Sequence, residues 1–363
     1  MAEDLTDDFD DDFTGLIDLA GERLGGAVVW ANDEFFAPKE ALVREAEPVW
    51  EEGRYTERGK WMDGWETRRR RTPGHDRCIV RLGARGVVRG VVVDTRHFRG
   101  NQPEACAIEA VDLPGAPTVG ALLAEDLGWR PLLPRSPLGP DAPHPFPVED
   151  GAPVTHLRLS IFPDGGVARL RVHGVVAPDW ARLAARGEVD LAAAAHGGRV
   201  VAASDGTFGR PGPLILPGSP RGMHDGWETR RRRGPGHDWV VVELGRPGRP
   251  RRVEVDTTHF RGNAPESCSL DACAPADWAG EATAWRELLP RTPLQPHALH
   301  DLPLDPPSAG PVSHVRLSIH PDGGVARLRV FGGVDAPTAG RGTGRSGTAG
   351  AETAGSGTTG GRG

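Results

Sequence analysis

The chain has 363 residues and a formal net charge of −7, with 43 basic against 50 acidic side chains. This length accommodates two domains of ordinary size. The acidic balance argues against a nucleic-acid partner, because such proteins usually carry a basic surface. No apolar run approaches the ~18 residues that a membrane-spanning helix needs, so we expect no membrane association.

The start of the chain is rich in aspartate, which predicts a disordered acidic tail over residues 1–14. It has neither a basic beginning nor an apolar stretch, so we expect no secretory signal and a cytoplasmic location. The cysteines lack the C-x-x-C spacing of zinc sites, and we expect small buried thiols instead. They are Cys78, Cys106, Cys268 and Cys273.

A long duplication organises the rest of the chain. The block DGWETRRRRTPGHD at Asp63–Asp76 returns as DGWETRRRRGPGHD at Asp225–Asp238. Further along, HLRLSIFPDGGVARLRV at His156–Val172 returns as HVRLSIHPDGGVARLRV at His314–Val330. Matches of this length in the same order indicate the tandem duplication of a whole domain.

Short β-branched or alternating segments bounded by Gly and Pro predict strands in each copy. They are Cys78–Leu82, Val87–Asp94, Val154–Ile161 and Val167–Val172, then Val240–Leu244, Val253–Asp256, Val312–Ile319 and Val325–Val330. In Val154–Ile161, side chains alternate between the two faces of the strand. This alternation predicts that Leu157, Leu159 and Ile161 face the core and that His156 and Ser160 face outward. The pattern favours an all-β fold of two tandem, homologous antiparallel β-sandwiches.

One passage between the copies has a helical pattern instead. Trp180, Leu183 and Ala184 lie at i, i+3 and i+4 within the segment Ala177–Ala195. The end of the chain is rich in Gly, Thr, Ala and Ser and predicts a second disordered tail. The predicted units are a first domain over 15–176, a helical linker over 177–189, a second domain over 190–334 and a tail over 335–363.

The duplicated block carries charges on both faces of an extended segment. Glu66, Arg68 and Arg70 project to one side, and the same holds for their counterparts in the second copy. Because an unpaired buried charge is costly, these groups must meet carboxylates, solvent or a ligand. A lattice of structural ion pairs, with Glu66 paired to Arg68, is one interpretation, and a ligand site is the other.

A second set of polar residues follows an apolar strand in each copy, at Asp94–Asn101 and Asp256–Asn263. Loops at the rim of a rigid scaffold often carry function. A metal held by Asp94 and His97, or by their counterparts, is an alternative. However, these residues lie on opposite faces of a continued strand, and no H-x-H or H-x-x-x-H spacing occurs.

Together these motifs resemble the allantoicase (allantoate amidinohydrolase) family. They comprise DGWETRRRR..GHD, an LG turn, VDT.HF.GN and the upstream Asp33-Glu34-Phe35-Phe36, and they cover roughly residues 15–334. The resemblance implies hydrolysis of allantoate to (S)-ureidoglycolate and urea in purine (allantoin) catabolism. It also implies two jelly-roll, galactose-binding-like domains and a homo-oligomer. No cofactor is predicted, and a dependence on a divalent metal is left open.

The chemistry of allantoate suggests roles for the repeated residues. A carboxylate suits the bidentate guanidinium of Arg, and the expulsion of urea requires proton transfer by Glu or His. The predicted catalytic residues are Glu66, His97, Glu228 and His259. The predicted substrate-binding residues are Arg68, Arg70, Asn101, Arg230, Arg232 and Asn263.

Other functions stay open beside this one. A jelly roll can also be a carbohydrate-binding module, although such a module would present an aromatic platform rather than an Arg-rich block. A pseudoenzyme with purely structural repeats is a further alternative. The copies differ at the ends of their motifs, as in Arg77 against Trp239. The sequence therefore leaves open which of the two repeats holds an active site.

Overall fold

The computed structural model describes residues 13–278 and 282–334. The predicted tail over 335–363 and most of the tail over 1–14 therefore lie outside the described residues. Phe13 and Thr14, which were assigned to the tail, instead belong to an ordered 3-10 helix. Phe13 is buried against the backbone at Gly90, where a side chain would leave it no room.

Strands account for most of the regular structure. The first repeat contains β1 (Ile17–Asp18), β2 (Ala27–Ala31), β3 (Tyr55–Thr56), β4 (Gly59–Lys60), β5 (Trp65–Glu66), β6 (Asp76–Asp94), β7 (Ala105–Val111), β8 (Arg130–Pro137), β9 (Pro143–Pro147), β10 (Val154–Phe162), β11 (Gly166–Val167) and β12 (Arg169–Val176). The second repeat contains β13 (Val189–Asp190), β14 (Arg199–Ala203), β15 (Trp227–Glu228), β16 (Asp238–Asp256), β17 (Ser267–Cys273), β18 (Arg286–Pro293), β19 (Leu299–Pro303), β20 (Val312–His320), β21 (Gly324–Val325) and β22 (Arg327–Gly333).

Helices are short. The α-helices are α1 (Val119–Leu122) and α2 (Trp180–Ala184), and the 3-10 helices are Phe13–Gly15, Glu22–Leu24, Lys39–Val43, Ala194–His196, Gly212–Ile215, Met223–Asp225 and Pro275–Asp277. Within the described ranges, none of the helices has the length and apolar character needed to cross a bilayer.

One long strand organises each repeat. The first part of β6 pairs with β2 and β10, and its second part pairs with β9 and β12. The strands β7 and β8 continue the layer beyond β10, and β1 continues the other layer beyond β12. Strand β16 repeats this arrangement with β14, β20, β19 and β22. Every pairing between the described strands is antiparallel, so the predicted all-β fold of two tandem β-sandwiches is confirmed.

The core lies between the layers of each sandwich. Leu157, Leu159 and Ile161 of β10 are fully buried, as their alternation predicts. His156 and Ser160 are buried as well, so their predicted outward exposure was wrong. Strand β10 is a central strand, paired with β6 along one edge and with β7 along the other, so its residues have neighbouring strands on both sides.

The connector is less helical than its pattern suggests. Helix α2 has five residues, and Asp179 caps it by accepting a hydrogen bond from the Arg182 backbone at 3.0 Å. Gly187 then adopts a left-handed conformation, with φ of 92°. The helical pattern does not continue beyond it as one helix, because strand β13 follows and Leu191 is buried in the core. Helical structure returns only in the 3-10 helix Ala194–His196.

The cysteines are free and buried, which confirms their prediction as small core residues. Burial raises the pKa of the Cys106 and Cys268 thiols to about 12. Both thiols therefore stay protonated and unreactive at neutral pH.

Candidate active site

Glu66 is held in a covered position at the edge of the first sandwich. It lies in the two-residue strand β5, which pairs with β11, and its backbone also bridges Ala37. The neighbouring Trp65 is fully buried, and its indole N–H donates to the Asp33 carbonyl at 2.8 Å. The side chain of Glu66 sits in this rigid frame, and the residue is only 9% exposed.

Burial raises the pKa of the Glu66 carboxyl, and a hydrogen bond from Asn101 opposes part of that rise. Asn101 Nδ2 donates to Glu66 Oε1 at 2.8 Å. The second repeat contains the same pair, in which Asn263 Nδ2 donates to Glu228 Oε1 at 2.6 Å. The structure therefore brings the predicted Glu and Asn together in both copies, although the two residues of each pair are 35 positions apart in the chain.

A buried phenylalanine packs next to the strands that position this Glu–Asn pair. Phe98 is fully buried beneath the strand β11, where a Cβ on Gly166 would lie 1.9 Å from Phe98 Cε1. The Gly166 backbone N–H also donates to the Asn101 carbonyl at 2.8 Å. Only glycine allows this close approach, which holds the Asn101 loop against the Glu66 strand.

A cavity of about 590 Å³ opens over Glu66 and Asn101. The other polar side chains that line it include Thr67, Arg69, Arg70, Arg71, Gln102, Glu104 and Asp164. A cavity of this size accepts a small molecule. A carboxyl with a raised pKa beside three cations suits an anionic substrate that must receive a proton.

The predicted arginines are largely engaged elsewhere. Arg68 Nε donates to Asp33 Oδ2 at 2.7 Å, and its side chain is 63% exposed. Arg70 lines the cavity, but its guanidinium pairs with the buried Asp76. The expected ion pair between Glu66 and Arg68 was therefore wrong. Strand β5 ends at Glu66, so strand alternation does not describe the arginines that follow it.

Sequence reasoning missed Arg69 and Arg71. Both line the Glu66 cavity, and neither has an ion pair with the residues that the structure describes. They were assigned to the face of an extended segment opposite Glu66. The pair Pro73-Gly74 could have indicated their position. Pro and Gly favour a turn, and a chain that turns there does not continue the alternation of an extended strand.

In the second repeat, Arg230 and Arg232 repeat the engagement of their counterparts. Arg230 pairs with Asp205, and Arg232 pairs with the buried Asp238. A cavity of about 320 Å³ adjoins this arginine run. It is lined by Ser204, Asp205, Arg230, Arg231, Arg232, Arg233, Gly234 and Asp238, and Glu228 is not among its lining residues.

His97 adopts a left-handed backbone conformation with φ of 71°, and His259 repeats it with φ of 75°. His97 Nε2 lies 3.1 Å from the Pro48 carbonyl, and His259 Nε2 lies 3.0 Å from that of Pro220. A carbonyl only accepts, so Nε2 carries the proton, and Nδ1 is the acceptor of the neutral ring.

His97 borders a separate cavity of about 480 Å³, which we call the insertion cavity. Its lining residues are Trp50, Lys60, Met62, His97, Arg99 and Asn101. Asn101 also lines the Glu66 cavity, so the two spaces adjoin at this side chain. The predicted catalytic residues Glu66 and His97 thus lie on two neighbouring cavities.

The residues of the metal alternative are occupied with other partners. Asp94 accepts hydrogen bonds from the Arg96 backbone at 2.8 Å and from Arg96 Nε at 2.7 Å. His97 Nε2 is directed to Pro48, as described above. Over residues 13–278 and 282–334, no group of three or more His, Cys, Asp or Glu side chains is placed to hold a metal ion.

The fold and the site define a class of duplicated β-sandwich proteins with polar small-molecule pockets beside each repeated block. The family model described as Allantoicase repeat matches the chain twice, at residues 17–177 and 189–335. The chain belongs to the allantoicase family.

Curated relatives and a solved structure agree with this family. A protein named "Probable allantoicase" from Pseudomonas aeruginosa is 48% identical over 331 residues, covering 90% of this chain and 98% of that relative. "Probable allantoicase 2" from Burkholderia pseudomallei is 48% identical over 326 residues, covering 87% and 94%. The crystal structure of allantoicase from Saccharomyces cerevisiae superposes with a TM-score of 0.68 at 34% identity, covering 88% of this chain and 93% of that one.

Proposed function

We propose that this protein is an allantoicase, which hydrolyses allantoate to (S)-ureidoglycolate and urea, and that its active site is the Glu66 cavity. The observation that carries the location is the covered Glu66 carboxyl, whose pKa burial raises, in a cavity where Arg69 and Arg71 have no described carboxylate partner. Family membership and the relatives' names support the activity.

The reaction needs a proton at one nitrogen. Allantoate carries a carboxylate and two ureido groups on one carbon, and hydrolysis breaks the bond from that carbon to one ureido nitrogen. The electron pair leaves with the nitrogen, to which protonated Glu66 gives its proton. Water then adds to the carbon and returns a proton to Glu66. One water is consumed, and urea and ureidoglycolate are released.

Two groups besides Glu66 have roles in this scheme. Asn101, whose amide holds Glu66 at 2.8 Å, orients the carboxyl toward the leaving nitrogen. Arg69 and Arg71 attract and hold the substrate carboxylate, because their guanidinium groups are not taken by described carboxylates. Arg68 and Arg70 then act indirectly, since their pairs with Asp33 and Asp76 shape the loop that carries Arg69 and Arg71.

Differences between the repeats favour the first as the catalytic one. Phe36 lines the Glu66 cavity and packs beside Gly59, 3.7 Å from the position of a Cβ there. Its counterpart Phe208 is 68% exposed. Gln102 lines the cavity, whereas the second repeat has Ala264 at that position. The first repeat thus encloses its Glu–Asn pair more fully.

The experiment compares Glu66→Gln with Glu228→Gln, a matched pair that removes the same carboxyl from each repeat. We expect Glu66→Gln to lower kcat for urea release by about 10²-fold or more, which is typical for the loss of a general acid. Glu228→Gln should stay within about threefold of the wild type. The reverse result would move the site to the second repeat. An absence of urea from folded wild-type protein would refute the activity.

The remaining expectations follow the family rather than the geometry. We infer that the enzyme works in the cytoplasm, in allantoin breakdown, and as a homo-oligomer. Light scattering on the purified protein measures the last of these directly. A carbohydrate-binding role receives no support from the Glu66 cavity, whose lining is dominated by charged and polar side chains rather than an aromatic platform.

A further inference from the structure

The first repeat contains an insertion that the second lacks. Fourteen residues separate Pro48 from Asp63, whereas four separate Pro220 from Asp225. The ends of the two segments are anchored alike. Each proline carbonyl meets its histidine, and Asp63 and Asp225 each pair with a buried arginine. The additional residues of the first repeat form the β3–β4 hairpin and the segment before it.

This insertion builds one wall of the insertion cavity. Lys60 Nζ lies 4.0 Å from the centre of the Trp50 ring, a cation–π contact that positions both side chains. The Trp50 and His97 ring centres are 6.4 Å apart. Trp50 and Lys60 have no counterparts in the second repeat, so the cavity wall is particular to the first.

The two cationic side chains of the insertion cavity differ in whether a carboxylate pairs with them. Arg99 Nε donates to Asp141 Oδ2 at 2.8 Å, so its charge already has a partner. Lys60 has no ion pair with any described residue. Its ammonium therefore offers hydrogen-bond donors to whatever occupies the cavity.

His97 also lines this cavity and can supply an acceptor. Because His97 Nε2 donates to Pro48, Nδ1 is the acceptor of the neutral ring. A ureido group is flat, with one carbonyl acceptor and several N–H donors. A donor from Lys60 and an acceptor from His97 match these features, whereas a simple carboxylate would use the cation alone.

We propose that the insertion cavity is the subsite for the ureido group that stays on the product, and that Lys60 determines specificity for it. The assignment rests on the proposed function, since it places the leaving ureido group at Glu66. Asn101 lines both cavities, so one substrate reaches across this side chain from the Glu66 cavity to the insertion cavity.

The test replaces Lys60 by Met and uses Arg54→Met as its control. Arg54 lies in the same insertion, with its guanidinium 3.9 Å from the centre of the Trp61 ring, but it does not line the cavity. We expect Lys60→Met to raise KM for allantoate about tenfold, the usual effect of losing a charged hydrogen bond, with kcat within about threefold. Arg54→Met should behave as the wild type, and Lys60→Arg should recover most of the affinity.

Two inhibitors identify the group that Lys60 binds. Hydantoate carries one ureido group and a carboxylate, whereas glyoxylate carries the carboxylate without a ureido group. Lys60→Met should raise the inhibition constant of hydantoate about tenfold and leave that of glyoxylate unchanged. Equal weakening of both would assign Lys60 to the carboxylate and overturn the proposal. Unchanged inhibition by hydantoate, in an enzyme that cleaves allantoate, would overturn it too.

Failure of the proposed function gives a different result. In that case the wild type releases no urea from allantoate, and kinetic constants cannot be measured. Calorimetric binding of hydantoate to the wild type, lost in Lys60→Met and kept in Arg54→Met, would then still support the ureido subsite. Absence of hydantoate binding to the wild type would overturn it.

Discussion

At the scale of single residues, the proposed site contains a carboxyl placed where its charge is costly. Glu66 is nearly covered, and its hydrogen-bonding partner is a neutral amide rather than an arginine. The arginines beside it are directed to Asp33 and Asp76 or to the cavity. Burial raises the pKa of the Glu66 carboxyl, and a raised pKa suits the general acid that we propose.

The raised pKa predicts that the Glu66 carboxylate lowers the stability of the folded protein at high pH. The folded protein binds this proton more tightly than the unfolded chain, whose carboxyl has a pKa near 4.5. The free energy of unfolding therefore falls as the pH rises from about 4.5 through the raised pKa of the folded state, by about 1.4 kcal/mol for each pH unit that separates the two pKa values. Glu66→Gln, which we expect to lose most of its activity, should be more stable than the wild type at pH 8.

Denaturant unfolding across a pH series checks this expectation. The advantage of Glu66→Gln should shrink as the pH falls toward about 4.5, since the wild-type carboxyl is then protonated in the folded state and increasingly so in the unfolded chain. A variant that is less stable than the wild type at pH 8 would show that the fold stabilises the Glu66 charge.

At the scale of elements, the small sheet of β5 and β11 is what places Glu66. Each of its strands has two residues, so few hydrogen bonds hold the strands together. The position of this sheet therefore depends on the side chains that pack against it. Phe98 and Trp65 are fully buried on either side of it. The period-two pattern predicted the long strands well, but it failed beyond Glu66, because this strand ends there.

Gly166→Ala should disturb this sheet, because the added Cβ would lie 1.9 Å from Phe98 and the ring cannot move freely in the core. We expect a destabilisation of about 1–3 kcal/mol and a loss of activity greater than unfolding explains. Gly324→Ala, whose Cβ would lie 2.0 Å from Phe260, is the matched change in the second repeat.

Thermal unfolding and urea release at a temperature where both variants are folded separate these effects. We expect Gly166→Ala and Gly324→Ala to lose similar amounts of stability. Only Gly166→Ala should have a lowered kcat. Equal kcat defects in the two variants would contradict a site confined to the first repeat.

At the scale of the whole molecule, the repeats are joined by one apolar core and by charge. Buried residues from both sandwiches form a single contiguous cluster. Across the junction, Arg23 of the first repeat pairs with Asp225, which also accepts from Arg327 Nη2 at 2.8 Å. Asp225 thus links the insertion-free segment of the second repeat to the opposite domain.

The two ion pairs of Asp225 should contribute differently to the free energy of unfolding. Arg23→Ala leaves Asp225 paired with Arg327 and should lower the free energy of unfolding by about 1 kcal/mol or less. Asp225→Asn removes the partner of the buried Arg327 and should cost about 3–5 kcal/mol. Calorimetry should show one transition for the wild type and for both variants. Two resolved transitions in the wild type would contradict a shared core.

The duplication, the all-β class and the family could be read from the sequence alone, because repeated motifs and alternation are local features of the chain. The roles of Glu66, Asn101 and His97 stay predictions. Tertiary structure decided which arginines face the cavity. Arg68 meets Asp33 across 35 residues, and no periodicity encodes that pairing. It also decided that Lys60 and Trp50 border the Asn101 loop, since an insertion acquires its neighbours only when the sandwich folds.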